Sequence, residues 1–374
     1  MYYSVGADIG AIDFLLASRS CADASVVFSE LKLGDQERFD QVMSLLEGKV
    51  IPAVGSGAWR LSADFKSRFR VLLEKHREPI CVWTAIQYVL SDQVDPLEAY
   101  KFVHSDSQDA RYPISAPFPC RETLMRSVRS VSFADLVNSF PILLVNVKTG
   151  TSFYRIDSPT EFLRVGGSSI GASTIHALGK SLASARSMAQ LSQRASCLST
   201  ASRADLLVED IYGGDCSSIG LPGSIIASSL GKATSELSES PDLAKSLIDL
   251  MCINTAQLAK LHAELNGCAL VVIVGAIGSL EEQLEISECI QRVLNILTST
   301  SSTPLTAVFF SQAKYLGCLG ALLRRESLVK GLRGKDYTPI DTATLNDGVD
   351  EETYTKLRVS TPPPRRTPGE YHCS

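Results

Sequence analysis

The sequence has no CxxC pair, and its ten cysteines and five histidines do not cluster at metal-ligand spacing. Zinc ribbons, zinc fingers and CxxC redox chemistry are therefore excluded. It has no basic excess: 36 Lys and Arg face 41 Asp and Glu, for a net charge of −5. A nucleic-acid binder needs the opposite balance, so no nucleic-acid partner is expected. No apolar run approaches the ~20 residues that cross a bilayer. The longest, Cys268 to Ile277, reads as a buried strand and the turn after it. The first residues, MYYSVGADIG, offer neither a basic n-region nor an apolar h-region, so no signal peptide is expected. Cysteines such as Cys81, Cys252 and Cys268 sit in apolar segments, where a free thiol behaves as a small hydrophobe. A reducing cytoplasm is the expected location.

What is present is enough for a core. The chain has 374 residues and 45% hydrophobic content, which suggests two domains. Its organising stretch runs from Pro141 to Thr174. Ile142 to Val147 is an apolar run of strand length. Lys148-Thr149-Gly150 is a tight turn, and Ser152 to Ile156 returns as a second strand. A third strand, Glu161 to Val165, ends in Gly166-Gly167-Ser168-Ser169-Ile170-Gly171-Ala172-Ser173-Thr174. That loop is rich in small and hydroxyl residues and precedes a helix, a setting that suits an anion. A plain hairpin with a small-residue loop fits the same letters.

A similar series precedes it. Tyr2 to Asp8, Ile12 to Ala17 and Ser25 to Leu33 read as strands, with Asp8-Ile9-Gly10-Ala11 at the first tip. A helix over Gly34 to Gly48, a strand over Lys49 to Val54 and Gly55-Ser56-Gly57-Ala58 follow, then helices near Ser62 and over Ile80 to Leu90. Ser91 to Asn138 reads as a surface excursion. In the second series Ser173 to Ala195, Ala201 to Val208 and Pro241 to Leu265 read as helical, the last with a broad apolar stripe through Leu243, Leu247 and Leu261. Core packing is the default for that stripe, and a helix-mediated dimer the sharper alternative. Leu270 to Val274 and Leu305 to Phe310 read as strands, and Lys314 to Leu328 as a closing helix. The proposed layout is an N-terminal α/β lobe at 1–95, an excursion at 96–138, a C-terminal α/β lobe at 139–331 and a polar tail at 332–374, which composition marks as disordered.

Five segments carry a resemblance: VGADIG, VGSGAWRL, PILLVNVKTGTS, RVGGSSIGAST and above all DLLVEDIYGGDCSSIGLPG. They resemble the eukaryotic-type (type II) pantothenate kinases, in the same order, over roughly residues 2 to 330. The resemblance implies an α/β fold of two ribonuclease-H-like lobes around a nucleotide cleft, of the actin, hexokinase and Hsp70 kind. It implies ATP and Mg2+ as cofactors, phosphorylation of pantothenate on the way to coenzyme A, and feedback by acyl-coenzyme A. It also implies a dimer, either a homodimer or a heterodimer with a homologous kinase chain.

Carried over residue by residue, Asp8 would hold Mg2+ and face nucleotide, together with the amides of Gly10, Thr149 and Gly150. Gly275 would lie against adenosine. Glu78 would be the general base, Arg164 would grip the pantothenate carboxylate, and Ser152 and Tyr212 would line the substrate pocket. Three of them have a plainer alternative. Asp8 can be a turn former, Glu78 a first-turn Glu favoured by the helix dipole, and Arg164 a solvated strand-end charge. The chain also departs from the family pattern. Ala11 and Ile12 stand in a loop that is normally Gly-Thr, and Leu15 stands where a Lys follows. Lys148-Thr149-Gly150 replaces Gly-Ser-Gly, and Gly171-Ala172-Ser173 replaces a glycine triplet. Losing a single preorganised transition-state donor costs ~100- to 1,000-fold in rate. Two readings follow: an active ATP:pantothenate phosphotransferase, or a catalytically degenerate subunit that partners an active homologue.

Overall fold

A computed structural model describes residues 2–10, 13–20, 25–32, 35–92, 98–103, 115–218, 220–238, 240–275, 280–299 and 305–333. By packing the chain falls into two units, Met1–Glu326 and Ser327–Ser374. Of the second, the described residues 327–333 are helical, and most of the polar tail expected at 332–374 lies outside the described residues. Everything below concerns the first unit.

The first sheet is built from β1 (Tyr2–Ile9), β2 (Asp13–Ser20), β3 (Val26–Lys32), β4 (Val50–Val54) and β5 (Leu72–Lys75), in the order β3-β2-β1-β4-β5. β1, β2 and β3 form an antiparallel meander, while β4 joins β1 and β5 joins β4 in parallel. Helix α1 (Gln36–Leu45) leads into β4, and α2 (Ser56–Arg60) and α3 (Ser62–Phe69) lead into β5. Asp35 caps α1 by accepting from Arg38 N, as short polar side chains do at helix starts. Phe39 and Met43 then face inward, and the rings of Phe14, Phe39 and Phe65 meet at 5.7–6.0 Å between centroids. Next come α4 (Glu78–Asp92), β6 (Ala99–Phe102), α5 (Arg121–Ser127), β7 (Val128–Ser130) and α6 (Phe133–Val137).

The second sheet repeats the pattern. β8 (Ile142–Val147), β9 (Thr151–Ser158) and β10 (Glu161–Ser168) are an antiparallel meander. After α7 (Ala172–Leu182) and α8 (Met188–Ala195), a small ladder of β11 (Leu206–Leu207) and β12 (Ile226–Ser228) encloses α9 (Val208–Tyr212). The long helix α10 (Pro241–Leu265) leads to β13 (Leu270–Gly275), α11 (Leu280–Thr298), β14 (Thr306–Phe310) and α12 (Leu316–Arg333). The order is β10-β9-β8-β13-β14-β6-β7, with β13 parallel to both β8 and β14. A meander whose first strand is joined by one parallel strand, with a second parallel strand beyond it, is the ribonuclease-H-like arrangement, and the fold contains it twice.

All six residues of β8 are buried, as expected for a strand covered on both faces. Leu143, Val145 and Phe153 pack in one core with Leu247, Ile248 and Ile290. Leu144, Val272 and Val274 pack in the other with Trp83, Ile86 and Leu319. Fully burying a side chain of this size contributes about 1.5–3 kcal/mol.

Two expectations change. The described part of the excursion expected at 96–138 is not a surface feature. It supplies β6 and β7 to the second sheet, and Tyr100, Phe102 and Leu124 to its core. The segment 201–207 is not helical, and Val208 only opens the short helix α9. Asp205 there is buried and accepts from Leu230 N and Ser246 Oγ. That side-chain caging of the backbone competes with a helix. The apolar stripe of α10 divides: Leu243 and Leu247 are in the core, while Leu261 and Leu265 at its end are exposed.

Candidate functional site

The site lies where β1 and β8 end. The register makes the two ends equivalent: Asp8 pairs with Val54 across β1 and β4, and Asn146 pairs with Val274 across β8 and β13. In each sheet the next residue of the parallel strand is a glycine at positive φ, Gly55 at 88° and Gly275 at 110°. A Cβ on Gly55 would fall 2.4 Å from Ile9 O and 2.8 Å from Asp8 Oδ1. A Cβ on Gly275 would fall 2.2 Å from Val147 O and 2.8 Å from Asn146 Oδ1. Both the backbone conformation and the close approach demand glycine. The same counting sets Gly10 opposite Lys148 in the repeat.

Asp8 is 2% exposed. Glu78 opens α4, and its carboxylate turns towards the end of β8. Lys148 lies between them. Its ammonium bonds Asp8 Oδ2 and stands 2.7 Å from Glu78 Oε1. Asn146 Nδ2 donates to the same Glu78 oxygen at 2.7 Å. Burial pushes the Glu78 carboxyl up, but the Lys148 charge and the bonds from Lys148 and Asn146 outweigh it and hold the carboxyl below its ordinary value. Burial opposes the Lys148 charge, yet Asp8 and Glu78 raise its pKa well above that of an ordinary lysine.

A row of residues leads away from this knot. Asn146 pairs with Ser152 and Ser152 with Gly167, so the three share one face of the sheet. The Arg164 guanidinium folds over Gly167, with Nη2 2.4 Å from where a Cβ would stand. Glu78, Asn146, Ser152 and Arg164 thus follow one another across three strands and a helix start. A chain with a hydroxyl near one end and a carboxylate at the other matches this order: base and amide first, guanidinium last.

The remaining expected positions divide. Gly10 packs against the Gly55 loop, its carbonyl oxygen 2.9 Å from a would-be Cβ on Gly57. Gly150 accepts from Lys148 N at 2.8 Å, and Thr149 lies between them in the turn. Gly275 abuts Asn146 as described, while the loop after it, 276–279, lies outside the described residues. Tyr212 is 58% exposed at the end of α9, and no described contact links it to the row. Of the loop expected to cradle an anion, residues 166–168 lie in β10, and two of the amides that follow are used within the chain. Ile170 N donates to Ser168 Oγ at 3.1 Å and Ala172 N to Lys148 O at 2.8 Å. The aspartates of the DIYGGD block are also committed within the chain. Asp210 accepts from Leu207 N and Lys232 Nζ, and Asp215 from Gly223 N. Asn146 was not among the expected site residues, although it is the one polar residue in the apolar run Ile142 to Val147.

The Mg2+ implied by the resemblance does not fit these residues as they stand. Mg2+ needs oxygen ligands around a small dication. Here an ammonium already sits on both carboxylates and would repel a second cation. Among the described residues no three His, Cys, Asp or Glu side chains come together as a metal site.

The family model described as Fumble matches residues 8–324. The chain is 30% identical over 280 residues to a mouse protein named 4'-phosphopantetheine phosphatase, covering 74% of this chain and 31% of that one. It is 31% identical over 286 residues to rice pantothenate kinase 2, covering 74% of this chain and 28% of that one. The chain thus spans about a third of the length of these relatives. Among solved structures, the activator of the 2-hydroxyisocaproyl-CoA dehydratase from Clostridium difficile with bound ADPNP matches at TM-score 0.48 and 12% identity, over 91% of this chain and 100% of that one. A ROK family glucokinase from Streptomyces griseus in complex with glucose and AMPPNP matches at 0.41 and 13%, over 86% and 99%. With a family match that runs from Asp8 through the whole of the second sheet, the chain belongs to the Fumble family, the eukaryotic-type pantothenate kinases.

Proposed function

We propose that the protein is a pantothenate-kinase-type chain that keeps the row for its substrate while Lys148 silences its phosphoryl-transfer centre. The observation that carries this is the Lys148 ammonium bonded to both Asp8 and Glu78. Phosphoryl transfer depends on neutralising the phosphate charge and positioning a nucleophile. A Glu78 held ionised by a cation and an amide is a weak base for a hydroxyl proton, and an Asp8 paired with Lys148 is a poor metal ligand. The row of Ser152, Gly167 and Arg164 does not involve Lys148 and supports binding of a pantothenate-like hydroxy acid. Such a chain would act beside an active homologue, and Leu261 and Leu265 at the end of α10 are the part of its apolar stripe open to a second chain.

The test is a paired measurement on the pure protein. Pantothenate raises the melting temperature, and Arg164→Ala abolishes that rise. With Mg·ATP, no 4'-phosphopantothenate forms above background. Turnover that Glu78→Gln removes would overturn this reading. It would establish the second one, an active ATP:pantothenate phosphotransferase, which the retention of Asp8, Glu78, Ser152 and Arg164 around one face favours.

A further inference from the structure

We propose that the far end of α7 carries a second anion site, a pocket lined by Arg186 and Arg194 that takes the phosphate group of a small phosphate monoester. The inference is independent of the reading of Lys148. Helix α7 starts at Ala172, whose N–H bonds Lys148 O, and ends at Leu182. At ~1.5 Å per residue, its 11 residues set the pocket roughly 16 Å from the Lys148 turn.

Four observations converge. The first is shape. Ser184, Arg186, Gln190, Gln193, Arg194 and Cys197 line a surface pocket of about 510 Å3, a size that suits a small molecule. The second is spacing. Gln190, Gln193 and Arg194 share one face of α8, and Arg186 and Cys197 continue that spacing on either side. Leu191, Ser192 and Ala195 are buried on the other face. The third is what the lining offers. Gln190 Oε1 accepts from Arg186 N at 2.8 Å, which leaves its Nε2 hydrogens as donors. Arg194 Nη1 donates to Ala183 O, which fixes that guanidinium at the rim. The ion pairs of the described residues do not include Arg186. The fourth is charge. From Phe162 to Ala204 the sequence has five Lys and Arg and no Asp or Glu, in a chain of net charge −5. Of these, Arg164 belongs to the row described above, and Arg203 pairs with Asp242. Lys180, Arg186 and Arg194 remain for this end of α7.

The lining therefore presents donors and positive charge, with no carboxylate to compete for them. Two guanidiniums on one pocket repel each other, and an anion between them removes that cost. Guanidiniums match phosphate oxygens through paired N–H bonds, and the carboxamides add further donors. Ser184 at the rim holds a φ of 47°, a conformation that costs a serine free energy and that gathers at binding sites. The pocket is larger than a bare phosphate, so an ester group fills the remainder. Nucleic acid fits less well, because its backbone needs a track of cations along a surface rather than two in one hollow.

The experiment uses the full chain and reads the pocket through Cys197. Alkylation by iodoacetamide is followed peptide by peptide by mass spectrometry at constant ionic strength. Cys120, exposed at the start of α5, is the internal reference. Phenyl phosphate is expected to slow alkylation of Cys197 by roughly threefold or more, by covering the thiol and by disfavouring its thiolate. The effect saturates and spares Cys120. Phenol is expected to protect neither thiol. Arg186→Gln is expected to raise the half-protecting concentration by roughly fivefold or more, the scale of a lost charge-assisted hydrogen bond. Arg164→Ala is expected to leave that concentration unchanged. Absence of protection overturns the proposal, as does protection by phenol or protection that Arg186→Gln leaves intact. Protection lost in Arg164→Ala would overturn it by moving the effect to the substrate row. Inorganic phosphate acting at the same concentration as phenyl phosphate would overturn the monoester in favour of the free ion. Arg194→Gln is expected to act like Arg186→Gln. Should it fail to fold, Arg186→Gln still decides, because no described side-chain bond is broken there.

Discussion

The two sheets end in the same geometry and opposite chemistry. Each first strand stops beside a glycine at positive φ, Gly55 or Gly275, and each places a polar residue at the same register, Asp8 or Asn146. Two residues further on, the first sheet has Gly10 and the second has Lys148. The backbone of the repeat is thus conserved within the molecule, while the charge is not. The first end offers an anion, the second an amide and a cation, and the cation crosses over to satisfy the anion. The two tips match in backbone, and one side chain bonds them to each other.

The strongest way to break this comparison is through the glycines. Gly55→Ala and Gly275→Ala each force a side chain into positive φ and into a carbonyl oxygen. Each should cost roughly 2–6 kcal/mol, from strain and overpacking together. Chemical denaturation checks it. The comparison predicts two losses of similar size, and a large loss at one position alone would show that the tips are not equivalent.

Next in size is the charge itself. Lys148→Met removes the cation that Asp8 and Glu78 share, and for a side chain that is 26% exposed the loss should be roughly 2–4 kcal/mol, somewhat below that of a fully buried pair. Lys148→Arg should recover part of it. Asn146→Ala should cost less, roughly 1–2 kcal/mol, because Glu78 loses one donor and keeps the other. A cost at Asn146 larger than at Lys148 would move the centre of the site from the cation to the amide.

The smallest effect is on pH dependence. The folded-state pKa of Glu78 lies below its ordinary value of 4.5. Its contribution to stability is therefore present above that value and lost as pH falls through the folded pKa. Wild type should lose stability on acidification below about pH 4.5, and Lys148→Met should show a shallower loss over the same window. Equal acid limbs in the two proteins, read by urea midpoints, would mean that the ion pair does not hold Glu78 ionised.

Much of the architecture was legible in the letters. Helix α10 announces itself through Ser240, which caps Leu243 N, Pro241 in the first turn, and a long apolar period. Strand β8 does so as an unbroken apolar run. What escaped is what depends on distant partners. The four-residue strands β5 and β6 are too short to carry a period, and they become strands by pairing with β4 and β14. Asp205 ends a helical pattern only because Ser246 and Leu230 lie beside it. The site divides the same way. Asp8, Glu78, Ser152 and Arg164 could be named by resemblance, and the odd Asn in an apolar strand was visible. That Lys148 would reach back across 140 residues to Asp8 could not be read, because the sequence around the turn fits a cation turned outward equally well.

The most direct measurement of the account is an anomalous-scattering diffraction experiment on crystals of the wild-type protein grown with Mn2+. The account predicts Lys148 Nζ within bonding distance of both Asp8 and Glu78, and no manganese peak between the carboxylates. A manganese ion on Asp8, with Lys148 swung clear, would contradict it.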